Sequence, residues 1–193
     1  MRGKRFIYTL RMFTIIEPGK RTEYMKRKRI YASMGDNCCI EDRVIPLYAK
    51  CIRLGNNVRL ASHVCFITHD VSDQALNNMG LKTDMGGRFK ERIGCIEIGD
   101  NVFIGAHCNI LYDVKIGNNV IVGAGSVVVR DIPDNSVAVG VPAKVIGTFD
   151  EFVKKRRNER AYPDEFAARK QEIPDALADW LWEQFRKKRS KRS

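Results

Sequence analysis

Between residues 98 and 133 apolar side chains return every sixth position. The chain reads IGDNVF, IGAHCN, ILYDVK, IGNNVI, VGAGSV and VVRDIP. The first position of each hexad is Ile98, Ile104, Ile110, Ile116, Val122 and Val128. The fifth is Val102, Cys108, Val114, Val120, Ser126 and Ile132. Upstream, LGNNVR, LASHVC and FITHDV hold one phase from Leu54 through Leu60 and Phe66. MGDNCC and IEDRVI form an earlier stretch from Met34, displaced by two residues near Pro46. Two apolar positions in six match neither a helical face of period 3.6 nor a strand of period 2. They match a short strand, a corner and another short strand. Gly at the second position allows a positive φ or a close backbone approach at the corner, and the NN and DN pairs tolerate turn geometry. A single rung cannot bury its own apolar edge, so the rungs must stack. Three hexads make one triangular coil, with parallel strands about 4.8 Å apart.

The beat stops after FITHD. Residues 70 to 92, DVSDQALNNMGLKTDMGGRFKER, are polar, glycine-bearing and aperiodic. A loop of this length inside a compact domain is usually functional or disordered. His69, one of only three histidines, sits at its edge. Outside the coil, PGKRTEYMKRKRIYASM predicts a lead-in helix with Pro18 near its start. Phe149 to Arg160 and Pro174 to Lys188 predict two more helices. Ala178, Trp180, Leu181 and Phe185 give the last an apolar face suited to capping the final rung. The expected organisation is a basic helical segment over 1–33, a coil over 34–149 with an excursion over 70–92, and a helical extension with a basic tail over 150–193.

The net charge of +11 belongs to the ends: residues 1–33 carry +8, 150–193 carry +4, and the middle carries −1. That placement argues against nucleic acid as a partner, which needs a basic stripe on the folded surface. No apolar run reaches 18 residues, so no membrane span is expected. Arg11 interrupts the N-terminal apolar stretch and no small-residue cleavage site follows, which argues against a signal peptide and for a cytoplasmic protein. Cysteines 38, 39, 51, 65, 95 and 108 form no CxxC pair. Without an export signal they are expected to be free thiols buried as small hydrophobes.

The segments IGDNVFIGAHCNI, IGNNVIVGAGSVVVRDIP and VAVGVPAKVIG resemble the hexapeptide-repeat acyltransferases, in the maltose/galactoside, capsular-polysaccharide and xenobiotic O-acetyltransferase branch. The likeness runs over roughly residues 20 to 150. It implies an all-β fold, a left-handed parallel β-helix with N-terminal and C-terminal α-helical appendages. The left hand comes from the resemblance alone, since parallel crossovers are right-handed in about 98% of cases.

The resemblance also implies a chemistry: transfer of an acetyl group from acetyl-CoA to a hydroxyl of a sugar or polysaccharide-like acceptor. His69, in FITHD, matches the family's general base. A hydroxyl is a poor nucleophile at neutral pH, and an imidazole, with a pKa near 6.5 in water, can take its proton as attack begins. The tetrahedral oxyanion would need backbone N–H donors, for which the rung at Gly105 and Ala106 is the candidate. Ala124 and Gly125 would let the pantetheine arm lie along the coil. Val129 stands where relatives often carry a hydroxyl, and Arg130 and Lys144 match basic positions near the 3′-phosphate. Phe103 replaces a common tryptophan and is expected either in the core or on a tunnel wall.

The acceptor side is weakly marked. Tyr48 suits sugar stacking, and Asp70, Asp73, Asn77, Asn78 and Met79 are further candidates. Asp70 adjoins His69 in a strand and points to the other face, so a backbone carbonyl is the expected group orienting the imidazole. The family's sites lie between subunits, which implies a homotrimer. No metal is expected. His107 is the rival base, and His63 reads as a corner residue. All three histidines occupy the fourth position of their hexads. That arrangement keeps open a zinc hydratase resembling the γ-class carbonic anhydrases; a non-enzymatic scaffold is the third reading.

Overall fold

The computed structural model describes residues 3–159, 162–166 and 172–190. Arg160, at the end of one expected helix, and the last three residues of the basic tail lie outside that set. The chain divides into two compact units, one up to Val153 and one from Lys154 onward.

The first unit is a parallel β-helix of three faces preceded by helices α1 (Lys4–Thr14) and α2 (Pro18–Arg27). The first face stacks Ser33–Met34, Ile52–Leu54, Ile96–Ile98 and Val114–Ile116. The second stacks Cys39–Ile40, Arg59–Leu60, Val102–Ile104, Val120–Val122 and Ser136–Val139. The third stacks only Cys65–Ile67, Asn109–Leu111 and Val127–Val128. Val102 lies beside Val120 and Val114 beside Ile96, so one coil takes 18 residues, three hexads as the pattern predicts. The expected apolar positions form one core: Ile98, Val102, Ile104, Cys108, Ile110, Val114, Ile116, Val120 and Val122 are all buried.

The corners separate the two roles proposed for glycine. A Cβ on Gly99 would sit 2.6 Å from Asn118 Oδ1 and 2.8 Å from the Gly117 carbonyl carbon. Its φ is ordinary, so close approach is the constraint there. The left-handed conformation falls two residues later, on Asn57, Asn101 and Asn119, with φ of 54°, 57° and 54°. These residues tolerate it and link the coils, with Asn57 Nδ2 donating to Asn101 Oδ1 and Asn101 Nδ2 to Asn119 Oδ1, each at 3.0 Å.

In the first coil Met34 lies beside Leu54 and Ile40 beside Leu60, twenty residues on. The two extra residues are the displacement seen near Pro46. They fall on the third face, where Val44, Ile45, Pro46 and Leu47 run past Cys65–Ile67 without joining its ladder. Pro46 has no N–H to give to a ladder.

Both exposed ends of the second face are covered. Ile40 N–H donates to Thr22 Oγ1 of α2 at 3.0 Å. At the far end Lys144–Thr148 pairs antiparallel with Ser136–Val139, a strand that the hexad pattern does not announce. Arg43 Nη1 donates to the carbonyls of Met12, Phe13 and Ile15 and so closes the C-terminal end of α1. The thiols depart from expectation. Cys108 is buried, but Cys65 and Cys95 are exposed and the other three only half-buried. Cys65 and Cys95 stand on the outward side of strands or at a corner, where hydrophobic burial does not reach them. Phe103 likewise points outward and is exposed, so it is not a core residue.

Helix α3 (Ser72–Asn78) lies in the excursion, and α4 (Phe149–Arg157) follows the antiparallel strand. In the second unit, α5 (Asp175–Ser190) buries Leu177, while Leu181 and Phe185 of its expected apolar face remain exposed.

A methyl group at position 99 must push two coils apart. Gly99→Ala is expected to lower the unfolding free energy by about 1–3 kcal/mol, measured as a shifted midpoint in urea with unchanged slope.

Candidate active site

The excursion has a stem. His69 pairs antiparallel with Ile93 and Asp70 with Arg92, and Gly94 N–H donates to the Thr68 carbonyl at 2.9 Å. His69 is therefore the first residue off the prism, and the rhythm breaks there because the backbone turns away from the ladder. Across this break Cys65 lies beside Asn109 and Ile67 beside Leu111, a separation of 44 residues, so the coil resumes in register. A Cβ at Gly94 would sit 2.2 Å from Asp113 Oδ1, so a side chain there would have to displace the exposed Asp113 carboxylate.

The half-buried His69 ring meets Tyr48 edge to face, with centroids 5.2 Å apart at 83°. Tyr48 is itself held by the returning limb, its hydroxyl donating to Glu91 Oε2 at 2.9 Å. That bond pushes the phenol pKa up, aided by burial and by the glutamate charge. His69 Nδ1 is buried and has no hydrogen-bond partner among the described residues. Among the described residues no backbone carbonyl accepts from the ring, contrary to expectation, and Tyr48 packs against it instead.

Asp70 turns away from the imidazole, as strand alternation requires. It accepts from the Ser72 hydroxyl at 2.5 Å, the Ser72 N–H at 3.1 Å and the Tyr112 hydroxyl at 2.7 Å. Those bonds, Ser72's hydroxyl first, hold its pKa down at about 2. Asp70 thus ties the outgoing limb to the next coil.

Beside His69 lies a cavity of 460 Å³. Its floor is the strand Cys65–Ile67, and its opposite wall is Val44, Pro46 and Leu47, the stretch that leaves the ladder in the first coil. His69 lines one end and His63 the other. His63 is a corner residue with φ of 62°, and it stacks on His107 of the next coil at 4.8 Å and 22°. The shared fourth position therefore has two outcomes, a stacked corner pair and a separate stem histidine a full face away. Among the described residues no three His, Cys, Asp or Glu side chains converge as metal ligands do. Asp42 is occupied by the N–H groups of His63 and Val64, each at 2.9 Å.

The other candidates scatter. Asn77 clamps the excursion, donating to the Phe89 carbonyl at 2.9 Å and accepting from its N–H at 3.0 Å. Asp73 Oδ1 is buried without a partner among the described residues, while Asn78 and Met79 are exposed. On the coil, Gly105 N–H is spent on the Val122 carbonyl at 2.8 Å and Gly125 N–H on the Ala106 carbonyl at 2.8 Å. The amides of Ala106 and Ala124 bond to nothing among the described residues. All four residues occupy the corner before the third face, whereas His69 leaves from the corner after it. Val129 and Arg130 follow the third-face strand Val127–Val128 and so share the corner column of His69, two coils on. Lys144 opens the antiparallel strand.

Stacked hexads of this kind, interrupted once beside a histidine, define a hexapeptide-repeat transferase. Residues 95–130 match the family model for the bacterial transferase hexapeptide (six repeats). The galactoside O-acetyltransferase of Escherichia coli K12 is 32% identical over 158 residues, covering 76% of this chain and 77% of that protein. Among solved structures, a galactoside acetyltransferase in complex with coenzyme A is similar at 28% identity and a TM-score of 0.52, over 83% of this chain and 86% of that one. A maltose O-acetyltransferase from Clostridium difficile 630 is similar at 28% identity and a TM-score of 0.50, over 75% and 86%. The chain belongs to the hexapeptide-repeat acetyltransferases, in the galactoside/maltose O-acetyltransferase branch.

Asp70 sets a pH dependence. Its folded-state pKa lies below the ordinary value of about 3.9, so its contribution to the stem is complete above about pH 4 and is lost as the pH falls toward 2. Asp70→Asn is expected to bring that loosening to pH 7. Amide exchange at Ser72, corrected for the intrinsic rate, should rise about tenfold in the variant, and in the native chain only below about pH 3.

Proposed function

We propose that the protein transfers an acetyl group from acetyl-CoA to a hydroxyl of a carbohydrate acceptor held in the cavity beside His69. One observation carries this reading: the imidazole at the root of the excursion lines a largely apolar cavity, with Arg5, Asp42 and His63 among its other polar residues, large enough for a sugar, and Tyr48 packs against its ring. With Nδ1 buried, Nε2 is the base. It takes the proton as the acceptor oxygen attacks the thioester carbon. The resulting oxyanion collapses, the carbon–sulfur bond breaks, and the imidazolium returns its proton to the departing thiolate. Transfer is direct, with no acyl-enzyme.

The oxyanion donors are the unspent amides of Ala106 and Ala124. Ala124 and Gly125 leave room for the pantetheine arm, and Arg130 and Lys144 meet the nucleotide phosphates. In one chain these amides and His69 lie at opposite edges of the third face, so a second chain must bring them together. That geometry supports a homotrimer with sites between subunits. A donor made and used in the cytosol favours a cytoplasmic enzyme.

Thiol release from acetyl-CoA with a panel of sugars tests this reading. His69→Ala is expected to lower kcat by about 10²–10⁴ with little change in KM for acetyl-CoA. His107→Ala should retain most turnover. The reverse result transfers the base role to His107. Light scattering should give three chain masses; a monomer with full activity would contradict the shared site.

A further inference from the structure

A second cavity of 540 Å³ adjoins the first. Arg5, Pro46 and Leu47 line both, and Tyr48, whose ring packs on His69, forms part of its wall. Its charged lining is one-sided: Lys4, Arg5, Lys28, Arg29 and Lys50, with no acidic side chain among the described residues. The remaining wall is apolar or aromatic, including Tyr8 and Ile30.

Internal bonding accounts for only part of this charge. Lys50 Nζ donates to the carbonyls of Arg29 and Tyr31, and Arg5 uses only Nε, on the Ile45 carbonyl at 2.8 Å. The Lys4, Lys28 and Arg29 side chains make no hydrogen bond or ion pair among the described residues. Lys4 and Arg5 also occupy the first turn of α1, which carries no acid, although a helix N-terminus favours negative charge. Five like charges around one concavity repel one another, and a bound anion relieves that repulsion. The donor's expected phosphate partners, Arg130 and Lys144, belong to the last coil and the strand after it, whereas this cavity is built from the lead-in helices and the first coil.

We infer that the cavity is a phosphate subsite for the acceptor, so that the acetylated sugar carries a phosphate or diphosphate ester. This rests on the acetyl-transfer reading above and names its substrate class. The sugar occupies the cavity beside His69, and its phosphate passes over Pro46 and Leu47 to the five cations. An apolar wall beside the cations suits the group beyond the phosphate, whether a nucleoside or a lipid.

Two measurements test the inference. The first is calorimetric titration of the native enzyme with inorganic pyrophosphate, with and without saturating coenzyme A. Binding that persists beside coenzyme A and weakens about tenfold or more in Lys4→Ala/Lys28→Ala supports the subsite. Absence of binding, or its abolition by coenzyme A, overturns it. Because this readout needs no turnover, its failure is distinct from failure of the His69 assignment.

The second compares kcat/KM for galactose, galactose 1-phosphate, UDP-galactose and a detergent-dispersed lipid diphosphate galactose. A preference of about tenfold or more for any phosphorylated acceptor over galactose is expected, with the preferred member identifying the group beyond the phosphate. Lys28→Glu should drive that ratio toward one while circular dichroism stays native. Equal use of galactose, or a preference untouched by Lys28→Glu, overturns the inference.

Discussion

The architecture depends on one spacing. Each coil must lie against the next at the strand spacing that backbone hydrogen bonds impose, about 4.8 Å. Everything at the corners follows. Gly99 has no room for a side chain, and Asn57, Asn101 and Asn119 accept left-handed backbone while bonding to one another across the coils. Inward Ile and Val fill the interior because two apolar positions per hexad are all that a three-sided core admits. Departures from that spacing are where the chemistry lies. The first coil carries two extra residues and a proline, its third-face segment leaves the ladder, and the gap becomes the cavity floored by Cys65–Ile67.

Most of the fold was legible because period is a strong signal. Hexads in phase identify the faces, the inward set and the eighteen-residue coil, and the two-residue displacement near Pro46 appears in the register of Met34 with Leu54. What escaped is structure without period. Helix α3 and the antiparallel stem are short, and pairing with a distant partner holds the stem in place. The strand Lys144–Thr148 pairs against the direction of every coil strand beside it. The thiols at 65 and 95 are exposed, which cysteine count alone does not reveal because composition says nothing about which side of a strand faces out.

The candidate site divides along the same line. His69 could be singled out from its place at the break. Tyr48 suits a sugar by residue type, yet its ring packs on the imidazole and its hydroxyl is held by Glu91, 43 residues further along the chain. The corner at Gly105 and Ala106 was marked for its amides, but hydrogen-bond bookkeeping leaves only the alanine amides unspent. Nothing in the alternation of apolar and polar residues reveals that the Asp70 carboxylate serves Ser72 and Tyr112. The charge count places basic residues at the N-terminus, but only folding gathers Lys4, Lys28 and Lys50 around one hollow.

The excursion departs at Thr68 and returns at Gly94 to the same corner, with the ladder above and below undisturbed. Asn77 and Phe89 clamp it part-way along, so the tip beyond that clamp is mechanically uncoupled from the prism. Adding or deleting residues there changes little beyond a closure entropy that grows slowly with length, about 0.6 kcal/mol for each doubling. The scaffold that holds the base can stay fixed while one segment of chain is traded for another. Such a protein can acquire new molecular tastes by swapping a single appendage.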